Sequence, residues 1–321
     1  MAKRVISREE WRMRRMKAVC GGVATLLMLM MLAGNLLGQT AQMKKRIAVF
    51  SFEDKTNHQY HWWSGQPVGE GMADMLITEL VKSGRYQVLE RTEIQKVMSE
   101  QALGQSGAVT QESAAKVGQL LGVELAVIGA VTEFGWSEGN MGGSLAKKGL
   151  GLGVKTTSAT VAVDVRLVNT STGEILAAEN VRKSESKKGL SLNTNAFDFD
   201  NRDKFDESIV GKATRQAIDE IVQKIDENMA NVKWQAKVIK ADAQVFINAG
   251  AASGIENGQQ LLVFRAGEEL VDPDTGASLG SEETQIGVIE VVNNNVGNGK
   301  ASICKIISGN GFQRNDIVRM K

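Results

Sequence analysis

Cysteine is nearly absent from this chain: Cys20 and Cys304 are the only two in 321 residues. Cys20 precedes an apolar segment near the N-terminus that reads as a removable leader. The mature chain then keeps Cys304 alone, which rules out an intrachain disulfide and a cysteine metal site. Histidine is as scarce. His58 and His61 share one polar loop with no cysteine and only scattered carboxylates, so loop-surface histidines account for them better than a metal site. A strong charge of one sign is also missing. The formal net charge is +1, from 38 Lys and Arg against 37 Asp and Glu. Residues 1–41 hold 7 of those basic and 2 of those acidic residues, leaving 31 and 35, so the remainder carries −4. That balance argues against a nucleic-acid surface.

What is present starts with the N-terminus. Lys3, Arg4, Arg8, Arg12, Arg14, Arg15 and Lys17 form a basic head. An uncharged run rich in Leu and Met follows from Gly21 to Leu37, then Gly38, Gln39, Thr40 and Ala41. A charged head, an apolar stretch and small residues form the layout of a secretory signal. The apolar run is short for a span of roughly 20 residues, so a cleaved signal peptide over 1–41 is expected rather than an anchor. Met13 and Met16 are alternative starts. The remaining length suggests about two domains.

The first unit, 42–234, reads as α/β. Ile47, Val49, Phe50 and Phe52 mark a buried strand. A polar, aromatic loop from Asp54 to Gln66 carries Tyr60, Trp62 and Trp63, and Pro67 opens a helix with Val68, Met72, Met75, Leu76 and Leu80 at helical spacing. The polar neighbours Gln59 and Ser64 favour a loop over a core for the two tryptophans. A short strand is expected over 86–89. Ile94, Val97 and Met98 mark a second helix, and a third is expected after Thr110. Leu125 to Val131 is apolar throughout, as in a central strand. Strands separated by helices imply an α/β layered core. After Thr132 glycines punctuate the chain. Val161, Val163, Val165 and Leu167 then alternate with Ala162, Asp164 and Arg166, which is strand periodicity. Asn169 to Gly173 is a turn, with a partner strand from Glu174 to Val181. Lys204 to Met229 reads as one long amphipathic helix, and Ala230 to Gln235 as a linker. The last unit, 235–321, shows short strands around Val238, Val245–Ile247, Leu261–Phe264, Ile286–Val292, Ala301–Ile307 and Ile317, separated by Gly and Asn turns. A small β-barrel or a sandwich fits this spacing.

Several motifs dissolve on inspection. Asp272-Pro-Asp274-Thr-Gly276, with Glu283 beyond, has a partial calcium-loop rhythm, but Ala277 stands where the loop needs glycine; a β-turn is the better account. Gly211-Lys212-Ala213 lacks the hydroxyl that must follow lysine in a phosphate loop. The Gly149 to Gly153 run has no following helix, so it is no dinucleotide site. The acids Asp198, Asp200, Asp203, Asp206 and Glu207 read as a solvated turn. No nucleophile–base pairing stands out. No enzyme activity, cofactor or metal is expected.

One stretch is specific. Gly142-Gly143, then Gly149-Leu-Gly151-Leu-Gly153, then Ala162-Val-Asp-Val-Arg-Leu-Val-Asn169 and Ser171-Thr-Gly-Glu-Ile-Leu176 resemble the core of the CsgG family, the curli production assembly/transport component. The likeness extends over roughly Lys45 to Asn228 and includes Leu89-Glu90-Arg91. It implies a periplasmic α/β domain that assembles as a homo-oligomeric ring. Each subunit would give two β-hairpins to one barrel across the outer membrane, a closure that satisfies every backbone group. Here those hairpins map near 133–160 and 178–203, with Gly142, Gly143, Gly149, Gly151 and Gly153 in the first and Lys187 and Lys188 at a tip or interface of the second. The family's channel constriction loop maps to 57–66, with Asn57, Tyr60, Trp62 and Trp63 as candidates to narrow the pore.

The chain departs from the family in three ways. It lacks a lipobox, so it is not expected to be a lipoprotein. Its hairpins are polar. It adds the domain from 235, whose run Asn248-Ala-Gly-Ala-Ala-Ser-Gly254-Ile-Glu-Asn-Gly258 resembles the C-terminal domain of flagellar assembly protein T. The resemblance therefore implies an exported protein of the periplasm and outer membrane that passes curli-like or other polypeptide. Its expected partners are copies of itself, the exported chain and outer-membrane lipid through the hairpins, with no nucleic acid. The alternative is a periplasmic assembly module of the same fold without a pore, as in penicillin-binding protein activators or flagellar-ring components.

Overall fold

The computed structural model describes residues 43–56, 65–89, 94, 122–141, 154–188, 202–274 and 278–321. The signal segment and the expected helices after Ile94 lie outside these residues. Met43–Lys321 forms one body containing two sheets.

The first sheet contains β1 (Lys45–Val49), β2 (Glu53–Asp54), β3 (Tyr86–Leu89), β4 (Leu125–Met141), β5 (Val154–Asn169) and β6 (Ile175–Lys188). Its order is β3-β1-β4-β5-β6, with β2 beside β4. β1 runs parallel to β3 and β4, whereas β4, β5 and β6 form an antiparallel meander. Leu125–Val131 is apolar throughout because it is covered on both faces. Leu125, Val127 and Val131 meet the helices, while Ala126 and Ile128 pack with Phe50, Val123, Ile94 and Val168. β5 shows the expected alternation: Val161, Val163, Val165 and Leu167 are buried, and Asp164 and Arg166 are exposed.

α1 (Val68–Ser83) begins after Pro67, whose extended φ and ψ suit a helix entry. It stops at Gly84, whose φ of 67° is the left-handed conformation favouring glycine, and the Gly84 N–H donates to the Val81 carbonyl. The five apolar residues predicted for its face are all buried. The helix expected over 204–229 is instead two: α2 (Arg202–Glu207) and α3 (Ile209–Met229). Ser208 separates them and caps α3, its hydroxyl accepting the Gly211 N–H at 2.9 Å. Gly211 lies so close to α2 that an added Cβ would sit 1.9 Å from the Phe205 carbonyl oxygen. The acidic stretch expected as a solvated turn is therefore partly helical. Phe205 is fully buried, and Asp206 pairs with Arg215 at 2.5 Å.

The second sheet contains β7 (Gln235–Ala241), β8 (Val245–Ile247), β9 (Gln260–Val271), β10 (Ser278–Val296), β11 (Ala301–Gly309) and β12 (Ile317–Met320). It closes as a barrel in the order β10-β11-β8-β7-β12-β9, so of barrel and sandwich the barrel is found. Val238, Ile247, Leu261, Val263, Ile289, Val291, Cys304 and Val318 fill it. β9 and β10 run well past the apolar segments that marked them: their outer halves are polar and stay paired, with breaks in register, as far as Val271 with Ser278. Asp272 accepts the Asp274 N–H at 2.9 Å where the chain turns at Pro273 and Asp274; Thr275 and Gly276 of the expected β-turn lie outside the described residues. Glu283 of the rejected calcium rhythm pairs with Arg319 instead.

The stretch expected as a linker, 230–235, is packed. Val232 joins the α/β core and Trp234 the barrel core. The barrel meets the end of the sheet where β1 and β4 begin. Lys44 N–H donates to the Ser253 carbonyl at 3.0 Å, Ser253 Oγ donates to Gln87 Oε1 at 3.0 Å, and Gln235 Nε2 donates to Ser171 Oγ at 2.7 Å. β4 starts at this junction and ends, 17 residues later, at the opposite end of the sheet.

Candidate functional site at the root of the long strands

Where β4 leaves the core, its pattern changes phase. Val131 pairs with Val163, but Glu133 pairs with Ala162, so Thr132 is the extra residue of a β-bulge. Before it odd-numbered residues face the helices; after it Phe134 and Trp136 do. Bulges re-aim strands and occur at barrel rims. The last rung touching the core is Trp136 with Ala159. The strands stay paired beyond it, to Met141 with Val154, and β6 accompanies β5 to Lys188.

The aromatic loop springs from this bulge. Glu53 and Asp54 pair with Ala130 and Val131, and the Lys55 N–H donates to the Val131 carbonyl at 2.9 Å. Asp54 Oδ1 then accepts the Thr56 N–H at 3.0 Å and its hydroxyl at 2.7 Å, which fixes the direction in which the chain departs. An open groove of about 400 Å³ lies beside that point, lined by Thr56, Thr132, Glu133, Ser158, Thr160 and Arg182 among others. Glu133 and Arg182 form an exposed ion pair across β4 and β6. Thr160 and Ser184 share a hydrogen bond of 3.1 Å, and Asn180 donates to Asp164 at 2.6 Å. Small hydroxyls and one ion pair make this a hydrogen-bonding surface.

Lys187 and Lys188 sit exposed at the end of β6, in register with Thr157 and Thr156. Asn57, Tyr60, Trp62 and Trp63, and Gly142, Gly143, Gly149, Gly151 and Gly153, lie outside the described residues, as do His58 and His61. The structure does bring the loop's departure point and the base of the expected first hairpin together. Of the expected second hairpin, the rising strand is described to Lys188, and Arg202 and Asp203 are already in α2. The bulge and the Glu133–Arg182 pair were not anticipated. Their only sequence trace is the interrupted alternation at Val131-Thr132-Glu133. Among the described residues no helix is long and apolar enough to cross a membrane, and no group of three or more His, Cys, Asp or Glu could hold a metal ion.

The CsgG family, described as the curli production assembly/transport component, matches residues 31–258. The chain belongs to the CsgG family. The match spans the loop, the whole first sheet and its helices, and enters the barrel as far as Gly258. A comparison with curated proteins gave no match. Among solved structures, the hypothetical protein CT253 from Chlamydia trachomatis is 15% identical, covering 59% of this chain and 99% of that one, with a TM-score of 0.39. Lipoprotein GNA1162 from Neisseria meningitidis is 16% identical over 58% and 99%, with a TM-score of 0.31. The LpoB C-terminal domain from Salmonella enterica is 14% identical over 47% and 90%, with a TM-score of 0.30.

Proposed function

We propose that this CsgG-family chain is a subunit of an outer-membrane secretion channel, a ring of identical copies that passes polypeptide out of the periplasm. One observation carries the reading: the aromatic loop and the long paired strands share a root at the β4 bulge. Strands that cross a bilayer need about 9–11 residues each. Beyond the Trp136–Ala159 rung the two strands stay paired through Ser137–Met141 and Val154–Ser158, about half of that need among the described residues. Backbone edges support a ring as well. Among the described residues β6 pairs only with β5, and β4 beyond Val131 pairs only with β5. Copies placed side by side would satisfy those edges, and each would bring its loop, with Tyr60, Trp62 and Trp63, to the rim.

The test is direct. Mature protein purified in detergent is expected to form rings in electron micrographs and to conduct ions across a planar bilayer. Replacing Trp62 and Trp63 together by alanine is expected to raise single-channel conductance without dissolving the ring. A soluble monomer with no conductance would sink the proposal.

A second reading, a periplasmic assembly module without a pore, is favoured by β6. Its last turns of alternation, Arg182, Lys183, Glu185, Lys187 and Lys188, are charged on both faces, and a lipid face tolerates charge poorly. Fractionation separates the two: release with soluble periplasm supports the module, and co-sedimentation with outer membrane supports the channel.

A further inference from the structure

We propose that Glu124 is a proton-sensitive latch between the α/β sheet and the C-terminal barrel, tightening as the surroundings acidify. Glu124 immediately precedes β4 and is 1% exposed. One carboxylate oxygen accepts the Arg46 N–H of β1 at 2.6 Å, and the other accepts the Gln235 N–H, the first of β7, at 3.3 Å. A single carboxyl thus holds the first strand of each sheet. Its own backbone is fixed too: its N–H donates to the Arg46 carbonyl at 3.1 Å, and its carbonyl accepts the Thr170 N–H at 3.3 Å.

The charges around it come from two strands. On β1, Arg46 and Lys45 both act on Glu124 through space, and the Arg46 guanidinium also donates to the barrel carbonyl of Asn248 and, at 3.3 Å, to that of Gly122. On β7, Lys237 feels the repulsion of Arg46. The turn at Thr170 brings a backbone N–H and a hydroxyl but no charge. Among the described residues no other carboxylate acts on Glu124. Burial dominates this site. It pushes the Glu124 carboxyl up from an ordinary 4.5 to about 7, against the pull of the two N–H donors and of Arg46. A glutamine has one acceptor oxygen and could take only one of these two N–H donors, so the junction calls for a carboxyl, and the carboxyl brings a response to pH with it.

The sign follows from linkage. A carboxyl that titrates near 7 when docked and near 4.5 when solvated takes up a proton on docking. The gain is complete below about 4.5 and is lost as pH rises through about 7; above that the curve is flat. Between those limits each pH unit shifts the docking equilibrium by up to about tenfold.

The experiment compares the full mature chain with Glu124→Gln from about pH 5 to 8, reading thermal midpoint and amide exchange at Arg46 and Gln235, with exchange corrected for intrinsic pH dependence. The wild type is expected to lose midpoint and junction protection as pH rises, and Glu124→Gln to hold both level. Parallel profiles overturn the proposal. Should Glu124→Gln fail to fold, carbon NMR titration of the wild-type Glu124 carboxyl decides: a midpoint near 7 supports the latch and one near 4.5 overturns it.

Discussion

At the barrel end the first sheet finishes on buried charge, with Glu124 and Arg46 both in the interior and every hydrogen bond they make crossing between elements. At the other end β4, β5 and β6 run on past the core with hydroxyls and an ion pair open to water. Buried charge demands partners fixed in place, because an orphaned charge in low dielectric is costly. Exposed strands carry no such demand, and among the described residues the outer edges of β6 and of β4 beyond Val131 have no further strand beside them. One end is thereby specified within the subunit, and the other is the end that the proposed ring would complete.

The largest expected effect tests this contrast with one substitution at each end. Arg46→Ala keeps the backbone N–H that Glu124 accepts but removes the guanidinium that donates to the Asn248 and Gly122 carbonyls and the positive charge beside Glu124, and is expected to cost about 1–3 kcal/mol of stability in urea unfolding. The loss shrinks at pH 5, where Glu124 is protonated and needs no counter-charge. Arg182→Ala removes an ion pair whose partners are 55% and 43% exposed, and should cost under about 1 kcal/mol, less in high salt. Equal costs would erase the distinction between the ends.

The strand end is instead held by shape beneath the exposed strands, at the α2–α3 corner. Gly211→Ala forces a Cβ against the Phe205 carbonyl oxygen, a backbone atom that must move. A cost of about 1–3 kcal/mol is expected, independent of pH and salt. A pH-dependent loss would mean that this corner, too, rests on charge.

The same contrast explains what could be read from the sequence. Alternation at Val161–Leu167, the helix between Pro67 and Gly84 and the strand-rich C-terminal third were legible because each repeats one physical rule over several residues. The α2–α3 break was hidden because Arg202–Met229 has one continuous apolar period, and only Ser208 with its partner three residues on marks the new start. The bulge was hidden because one extra residue looks like the end of a strand. Glu124 was visible as the one acid in the run Leu120–Val131, yet nothing in sequence says that its partners lie at residues 46 and 235. The candidate site was legible as a loop and as strands, but not as a single place, since their meeting depends on the short pairing of Glu53 and Asp54 with β4.

The smallest effect probes whether the two ends communicate. α3 links them: its N-terminus is capped by Ser208 beside α2, and its C-terminal carbonyl at Met229 accepts from Lys45, the residue next to Arg46. Along its length Gln216 donates to Glu185 of β6 at 2.5 Å. Ser208→Ala removes one acceptor from the first turn and is expected to cost about 1 kcal/mol. Local opening should then speed hydrogen exchange at Gly211 and through the first turns to Gln216, loosening the support under β6. Exchange near Met229 and Gln235 should stay unchanged, because Lys45 holds that terminus independently and a cation there is favoured by the helix dipole. If exchange rises equally at Gln235, α3 opens as one unit, and the charge at the barrel end and the packing at the strand end belong to a single cooperative structure.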